Sequence, residues 1–256
     1  MEKIRLGEMP VRVVHGAPLP LSVDLSLGER LVIAGPYRSA DDHERHLLAT
    51  SGAGWWVADA SDEMRFSLDA GSLVSAWFQA PGRVAREGTD PGSWLNADRA
   101  DARLAVVPGR NFDLPRVSVR WCERSGSALV CLTEEGFSGG AVVRSRLGIA
   151  QDLDLLIADG RYVGWLLERP AAHLCNSWTK VPDSPEDPEL GTWVARFFAL
   201  TDDEVFDTIV DGDPTALEPL RELLAEVQVE EGDQRRRKIF RDALEEVIDW
   251  HTGFDV

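Results

Sequence analysis

Val117-Ser118-Val119-Arg120-Trp121-Cys122, then Glu123-Arg124-Ser125-Gly126-Ser127, then Ala128-Leu129-Val130-Cys131-Leu132 is the stretch on which the fold reading turns. Val117, Val119 and Trp121 alternate with Ser118, Arg120 and Cys122, and after a short glycine-containing turn a second run places Ala128, Val130 and Leu132 on alternate positions. A period of two with a turn between is the pattern of a β-hairpin, in which Trp121 is expected to point into a core. Outward from it the same grammar recurs at Val11–Val14, Val23–Leu27, Arg30–Ala34, Gly54–Ala58, Leu73–Phe78, Arg103–Val107, Gly140–Arg144, Leu153–Ala158 and Tyr162–Leu167. Short strands at spacings of about 8 to 12 residues predict a mainly antiparallel sandwich or partly open barrel. One helix interrupts them, capped by Ser39 and running from Ala40 to Thr50, with Asp41, Asp42 and Glu44 favourably placed against its dipole.

The grammar changes after about Val181. Pro182-Asp183-Ser184-Pro185-Glu186-Asp187-Pro188 suits a connection and not a helix interior or central strand. Beyond it the period becomes 3.6. Thr201-Asp202-Asp203-Glu204 reads as a capping box, Asp213-Pro214 and Glu218-Pro219 offer two starts for the next helix, and Asp233 caps a last one with Phe240, Ala243, Leu244, Val247 and His251 on one stripe. The expected fold is therefore α+β: a β-rich body over 1–181 with one helix near 40–50, a Pro/acidic connection over 182–191, and an acidic helical subdomain over 192–256.

The chain carries 44 Asp and Glu against 27 Lys and Arg, a formal net charge of −17. Residues 201–256 hold 17 of the acids and 6 of the bases, net −11, leaving net −6 for the first 200. That excess argues against nucleic-acid binding, which needs a basic face. Charges within Met1-Glu2-Lys3-Ile4-Arg5 and the lack of any apolar run near the ~18 residues of a membrane span point to a cytoplasmic chain without membrane contact. Cys122, Cys131 and Cys175 are odd in number and form no CxxC, so reduced thiols are expected and neither a disulfide framework nor a zinc knuckle.

Glu135-Gly136-Phe137-Ser138-Gly139-Gly140-Ala141-Val142 resembles the nucleophile turn of the chymotrypsin-like serine proteases, where Gly-x-Ser-Gly-Gly precedes a strand. The resemblance covers about seven residues and implies Ser138 as nucleophile, with His43 or His46 as base and a carboxylate such as Asp59 or Asp101. No Ala-Ala-His-Cys-like segment accompanies it, and a Gly-rich turn accounts for the same residues. Arg30-Leu31-Val32-Ile33-Ala34-Gly35-Pro36-Tyr37-Arg38-Ser39 is similar to the opening strand of nucleoside 2-deoxyribosyltransferase-like proteins, but the acidic Gly-Thr-x-x-Glu element their chemistry needs is absent. His43 and His46 share a helix face without a third ligand, and Asp152, Asp154 and Asp159 lack the pattern of a calcium loop, so no metal and no cofactor is expected.

Two surface signals remain. Trp55 and Trp56 are adjacent, so on a strand they face opposite ways and one must meet another layer or a partner. Arg235-Arg236-Arg237-Lys238 opens a helix against its dipole and is expected to pair with Glu230, Glu231 or the preceding helix. The reading favoured by the sequence is a non-catalytic acidic protein that captures a basic protein, of the immunity or antitoxin type, through Trp55, Trp56, Glu222, Glu226, Glu230 and Glu231. The alternatives are a serine hydrolase built on Ser138, or a small-molecule biosynthetic enzyme with a barrel-mouth pocket.

Overall fold

A computed structural model describes residues 3–53, 62–85, 91–138, 140–176, 178, 181–182, 185–210, 214–229 and 231–252. The strands are β1 (Lys3–Leu6), β2 (Met9–His15), β3 (Val23–Ser26), β4 (Leu31–Ala34), β5 (Thr50–Gly52), β6 (Glu63–Ser67), β7 (Leu73–Gln79), β8 (Asp98–Ala105), β9 (Val119–Cys122), β10 (Ala128–Leu132), β11 (Arg144–Ala150), β12 (Leu153–Ala158) and β13 (Arg161–Glu168). The helices are α1 (Ala40–Leu48), α2 (Glu134–Ser138), α3 (Pro188–Leu200), α4 (Asp203–Val210), α5 (Glu218–Glu226) and α6 (Gln234–Thr252). The fold is α+β.

One sheet runs β1-β2-β8-β11-β12-β13 and closes on itself where Arg5 of β1 pairs with Arg161 of β13, giving a six-stranded barrel. The hairpin β9–β10 extends it along the later part of β13. The second sheet, β3-β4-β7-β6-β5, is open and antiparallel throughout. Its inner face (Val32, Ala34, Met64, Phe66, Ala76, Phe78) and the barrel interior (Leu6, Val11, Leu104, Ile149, Leu155, Trp165) belong to one apolar core, with Phe78 stacked on Trp165 at 5.6 Å. Phe197, Phe198, Leu220, Leu223, Phe240 and Leu244 of the helices join that same core. The helical unit is thus packed on the body and not hung from it.

The hairpin forms as its alternation demands, but its parity lands differently. Trp121, Val130 and Leu132 lie on the barrel's outer side, in a smaller cluster around Trp94 and Leu156, and Trp121 is only half-buried. The main core takes the other face, Leu129 and Cys131, opposite Cys122 and Arg120. Periodicity says which residues share a face; it does not say which face meets the larger core, and every residue of β10 is buried. Gly126 turns the hairpin at φ 76°, where a Cβ would sit 2.0 Å from the Gly191 carbonyl, so the turn abuts the start of α3 directly.

Other differences have local causes. The expected strand Gly140–Arg144 is a loop, tied by Asp159 accepting from the Val142 and Val143 amides, and β11 begins only at Arg144. Helix α1 stops at Leu48, and Thr50 belongs to β5. Pro188 starts α3, with Asp187 as its cap, so the helices begin inside the proline-rich stretch. Thr201 closes α3 by donating to the Phe197 carbonyl, and Asp202 caps α4 in its place. The run Gly54–Ala58, including Trp55 and Trp56, lies outside the described residues.

A buried carboxyl joins the two sheets. Asp62, before β6, accepts from the Tyr162 hydroxyl of β13 at 2.9 Å and from the Gln79 amide of β7 at 3.0 Å. Burial pushes its carboxyl from near 3.8 up to about 7, although both hydrogen bonds favour the ionised form. Between those pH values the folded protein holds a proton that the unfolded chain has released, so this group's contribution falls as pH rises from about 4 to 7. Urea midpoints of D62N and the parent across that window should therefore diverge in favour of D62N as pH rises; parallel curves would remove Asp62 as the cause.

Candidate functional site

Two places on the molecule gather side chains that a stable fold does not by itself require. The first is the outer face of the second sheet, where Glu63 and Arg65 of β6 and Ser75 and Trp77 of β7 meet α1, and Leu31 and Ile33 of β4 cluster with Tyr37, Trp77 and Trp178. Helix α1 buries none of its residues. It is fastened by polar contacts: His43 Nε2 lies 3.2 Å from Glu63 Oε1, His46 Nε2 lies 2.8 Å from Ser75 Oγ, and Arg65 donates to the Leu47 carbonyl at 2.9 Å. Arg65 is wholly buried and also donates to the Thr50 and Ala53 carbonyls, closing the C-terminal end of α1 where helix carbonyls lack partners.

Around His43 stand three aromatic rings. Its imidazole stacks on Trp77 at 4.5 Å and 20°, with Tyr37 at 4.7 Å and Trp178 at 6.2 Å. The three rings are themselves 5.8 to 6.3 Å apart and form one contiguous aromatic cluster, with His43 packed over its Tyr37–Trp77 side. Tyr37 is 3 % exposed. Burial, and then the Glu63 carboxylate, hold its proton far more tightly than in a free phenol. Desolvation, His43 and Arg65 together lower His46 to about 4, so it is neutral at pH 7.

The second place is a groove of about 340 Å³ between the β3–β4 turn and the helices. Leu27, Phe197, Phe206, Val247 and Trp250 supply its apolar lining and Glu246 a carboxylate. Trp250 is 67 % exposed, which is unusual for so large an apolar side chain. Asp203 lies beside the groove, paired with its Arg30 at 3.3 Å.

The basic run at the start of α6 is absorbed internally, as expected, but by other partners. Arg237 is bound bidentately by Asp187, contacts Glu189, and lies over the Trp193 ring at 4.8 Å. Arg236 pairs with Asp233, and Lys238 with Asp242. Glu231 stands exposed and Glu230 lies outside the described residues. The Arg237 partners come from the start of α3, 50 residues away in sequence for Asp187, which helix periodicity cannot reveal.

Of the remaining expected site residues, Ser138 ends α2, is exposed, and donates to the Glu135 carbonyl at 3.1 Å. No hydrogen bond links it to His43 or His46, whose Nε2 atoms face Glu63 and Ser75. Asp101 pairs with Arg99, and Asp59 lies outside the described residues. Glu226 of α5 is engaged by Arg196 of α3, while Glu222 is exposed. Asp152 and Asp159 are turn residues at φ 61° and 48°, whereas Asp154 is a fully buried partner of Arg99 and Arg146 in β12. The three cysteines form no disulfide with one another; burial pushes Cys122 and Cys175 up to about 12 and raises Cys131 well above the ordinary thiol value, which makes them poor nucleophiles. No group of three or more metal-ligating side chains occurs among the described residues, and no described helix is long and apolar enough to cross a membrane. Neither a protein-family model, a curated protein nor a solved structure matches the chain.

Proposed function

We propose that this protein is a non-catalytic binding protein whose acidic helical unit captures a basic protein, with the groove at Trp250 as the anchor point. The observation that carries the reading is an exposed indole at an apolar groove beside Glu246 and Asp203, within a segment of net −11. An aromatic anchor supplies the desolvated centre of an interface, and surrounding acids steer a basic partner and set its orientation. Internal pairing of Arg236, Arg237, Lys238 and Arg241 supports it further, because these bases are held by acids of the chain itself.

A display selection tests the reading through the chemistry of whatever binds. Peptides selected from a random display library on the immobilised protein should be rich in Lys and Arg around one aromatic or aliphatic residue. Their binding should weaken at least tenfold between 50 and 200 mM salt, as expected when several charges are screened together. W250A should reduce it by a further ~10-fold or more, the scale of an interface anchor. Neutral or acidic peptides, or binding indifferent to both salt and W250A, would overturn the reading.

A further inference from the structure

The outer wall of the barrel carries a second inference, independent of the groove. Strand alternation turns Ile4, Leu6, Val11, Val13 and Leu104 into the core. Lys3 and Arg5 of β1, Arg12 of β2, Arg103 of β8 and Arg161 of β13 therefore point outward, and all five are exposed. The register sets them in a single row. Arg161 lies opposite Arg5; Lys3 lies two residues along β1 and opposite Arg12; Arg103, opposite Val14, is diagonal to Arg12. Successive cations on such a row are about 5 to 8 Å apart, and the row spans roughly 20 Å.

A stable barrel does not ask for this arrangement. Like charges directly opposite one another weaken a sheet, and Lys3 faces Arg12 as Arg5 faces Arg161. The chain has 44 acids to spend, and on the adjoining wall it uses them: Arg99 and Arg146 are matched by Asp101, Asp154 and Glu168. Along the row, Glu8 of the β1–β2 turn pairs with Arg5 and the Ala17 carbonyl accepts from Arg103, whereas Lys3, Arg12 and Arg161 meet no acid among the described residues. We propose that this row is a docking surface for an extended acidic segment of a protein partner. An extended chain repeats its side chains on one face about every 6.6 to 7 Å, so carboxylates at alternate residues match the cations. Four of the five cations are arginines, whose planar forks take carboxylates bidentately. The other outward positions of this wall, Pro10, Val14 and Ala105, supply apolar flanks. They hold no aromatic ring, so the wall lacks the stacking platform of a single-stranded nucleic-acid site, and a single row suits one chain better than a lipid sheet. Charges act strongly only within about 8 Å at physiological salt, so the row and not the net charge governs what docks there.

The probe is a fluorescein-labelled peptide of five Glu-Ser repeats, titrated with the full chain and read by fluorescence anisotropy. It should bind saturably, and the matching Gln-Ser peptide should not. R12E should weaken binding by ~10-fold or more, since a like charge now faces the carboxylates. Its urea midpoint should equal or exceed the parent's, because the substitution sets opposite charges across from each other at positions 3 and 12. That combination separates a docking role from a structural one. R161E, on another strand, should weaken binding in the same way. Absence of saturable binding up to ~1 mM, equal binding of the Gln-Ser peptide, or undiminished binding by both variants would each overturn the proposal. So would tighter binding to a thymidine decanucleotide or to vesicles of anionic phospholipid, which would reassign the row to a different partner. Because Trp250 takes no part, W250A should leave this binding unchanged, so failure here and failure of the groove reading are distinguishable.

Discussion

R120M should destabilise the protein by about 3 to 5 kcal/mol, the range for removing one partner from a buried polar network. Arg120 is 1 % exposed at the middle of β9, where alternation turns it inward with Cys122. Its guanidinium donates to the Phe198 and Thr201 carbonyls, the Thr201 hydroxyl and the Pro81 carbonyl. The first two are carbonyls at the end of α3 with no partner further along the helix, so a β-strand side chain serves as the helix's C-terminal cap. Burial lowers the Arg120 pKa to about 10, which still leaves it charged at neutral pH. Methionine retains much of the volume and removes every donor, so the loss reports the stranded carbonyls and not a cavity. Equilibrium urea unfolding measures it; a loss below ~1 kcal/mol would mean that water replaces the guanidinium.

D187N should cost a similar amount, about 3 kcal/mol or more, by leaving Arg237 buried without its main counter-charge. The Arg237 side chain is 4 % exposed and that of Asp187 7 %. The carboxylate also accepts from the Leu190 and Asp233 amides, so one group caps α3, fixes the start of α6 and pairs across the two helices. The Arg237 hydrogen bonds, followed by those amides, hold the Asp187 carboxyl down at about 2. A depressed carboxyl contributes stability that is fully present above the unfolded value near 3.8 and is lost as pH falls through about 2. The gap between D187N and parent should accordingly be constant from about pH 5 to 8 and shrink below about pH 4. A gap that persists at about pH 2 would assign the effect to capping geometry and not to charge.

Both predictions concern residues whose importance no local pattern announces. Arg120 sits in a strand as the polar half of an alternation, and Asp187 sits in a proline-rich connection; each acquires its role from an element far along the chain. The same holds at the two candidate sites. Helix spacing brought His43 and His46 to one face, and the segment after β4 already displayed Tyr37, but Glu63, Ser75, Trp77 and Trp178 arrive from three other places. Trp250 lies beside the α6 stripe that ends at Val247 and His251, and only the groove formed with Leu27 and Phe206 gives its exposure a meaning.

Read alone, the sequence determines the class of the fold, the hairpin at Ser125-Gly126, the cap of α1 at Ser39, the cap of α6 at Asp233 and the concentration of acid after Thr201, because each depends on near neighbours in the chain. Tertiary structure decides that the sheet closes through β1 and β13, which face of the hairpin meets the main core, that Arg237 finds its acids at the start of α3, and that His43 packs on Trp77 and Tyr37. Those outcomes depend on packing between segments distant in sequence, and a periodic pattern carries no information about which distant surface its face will meet.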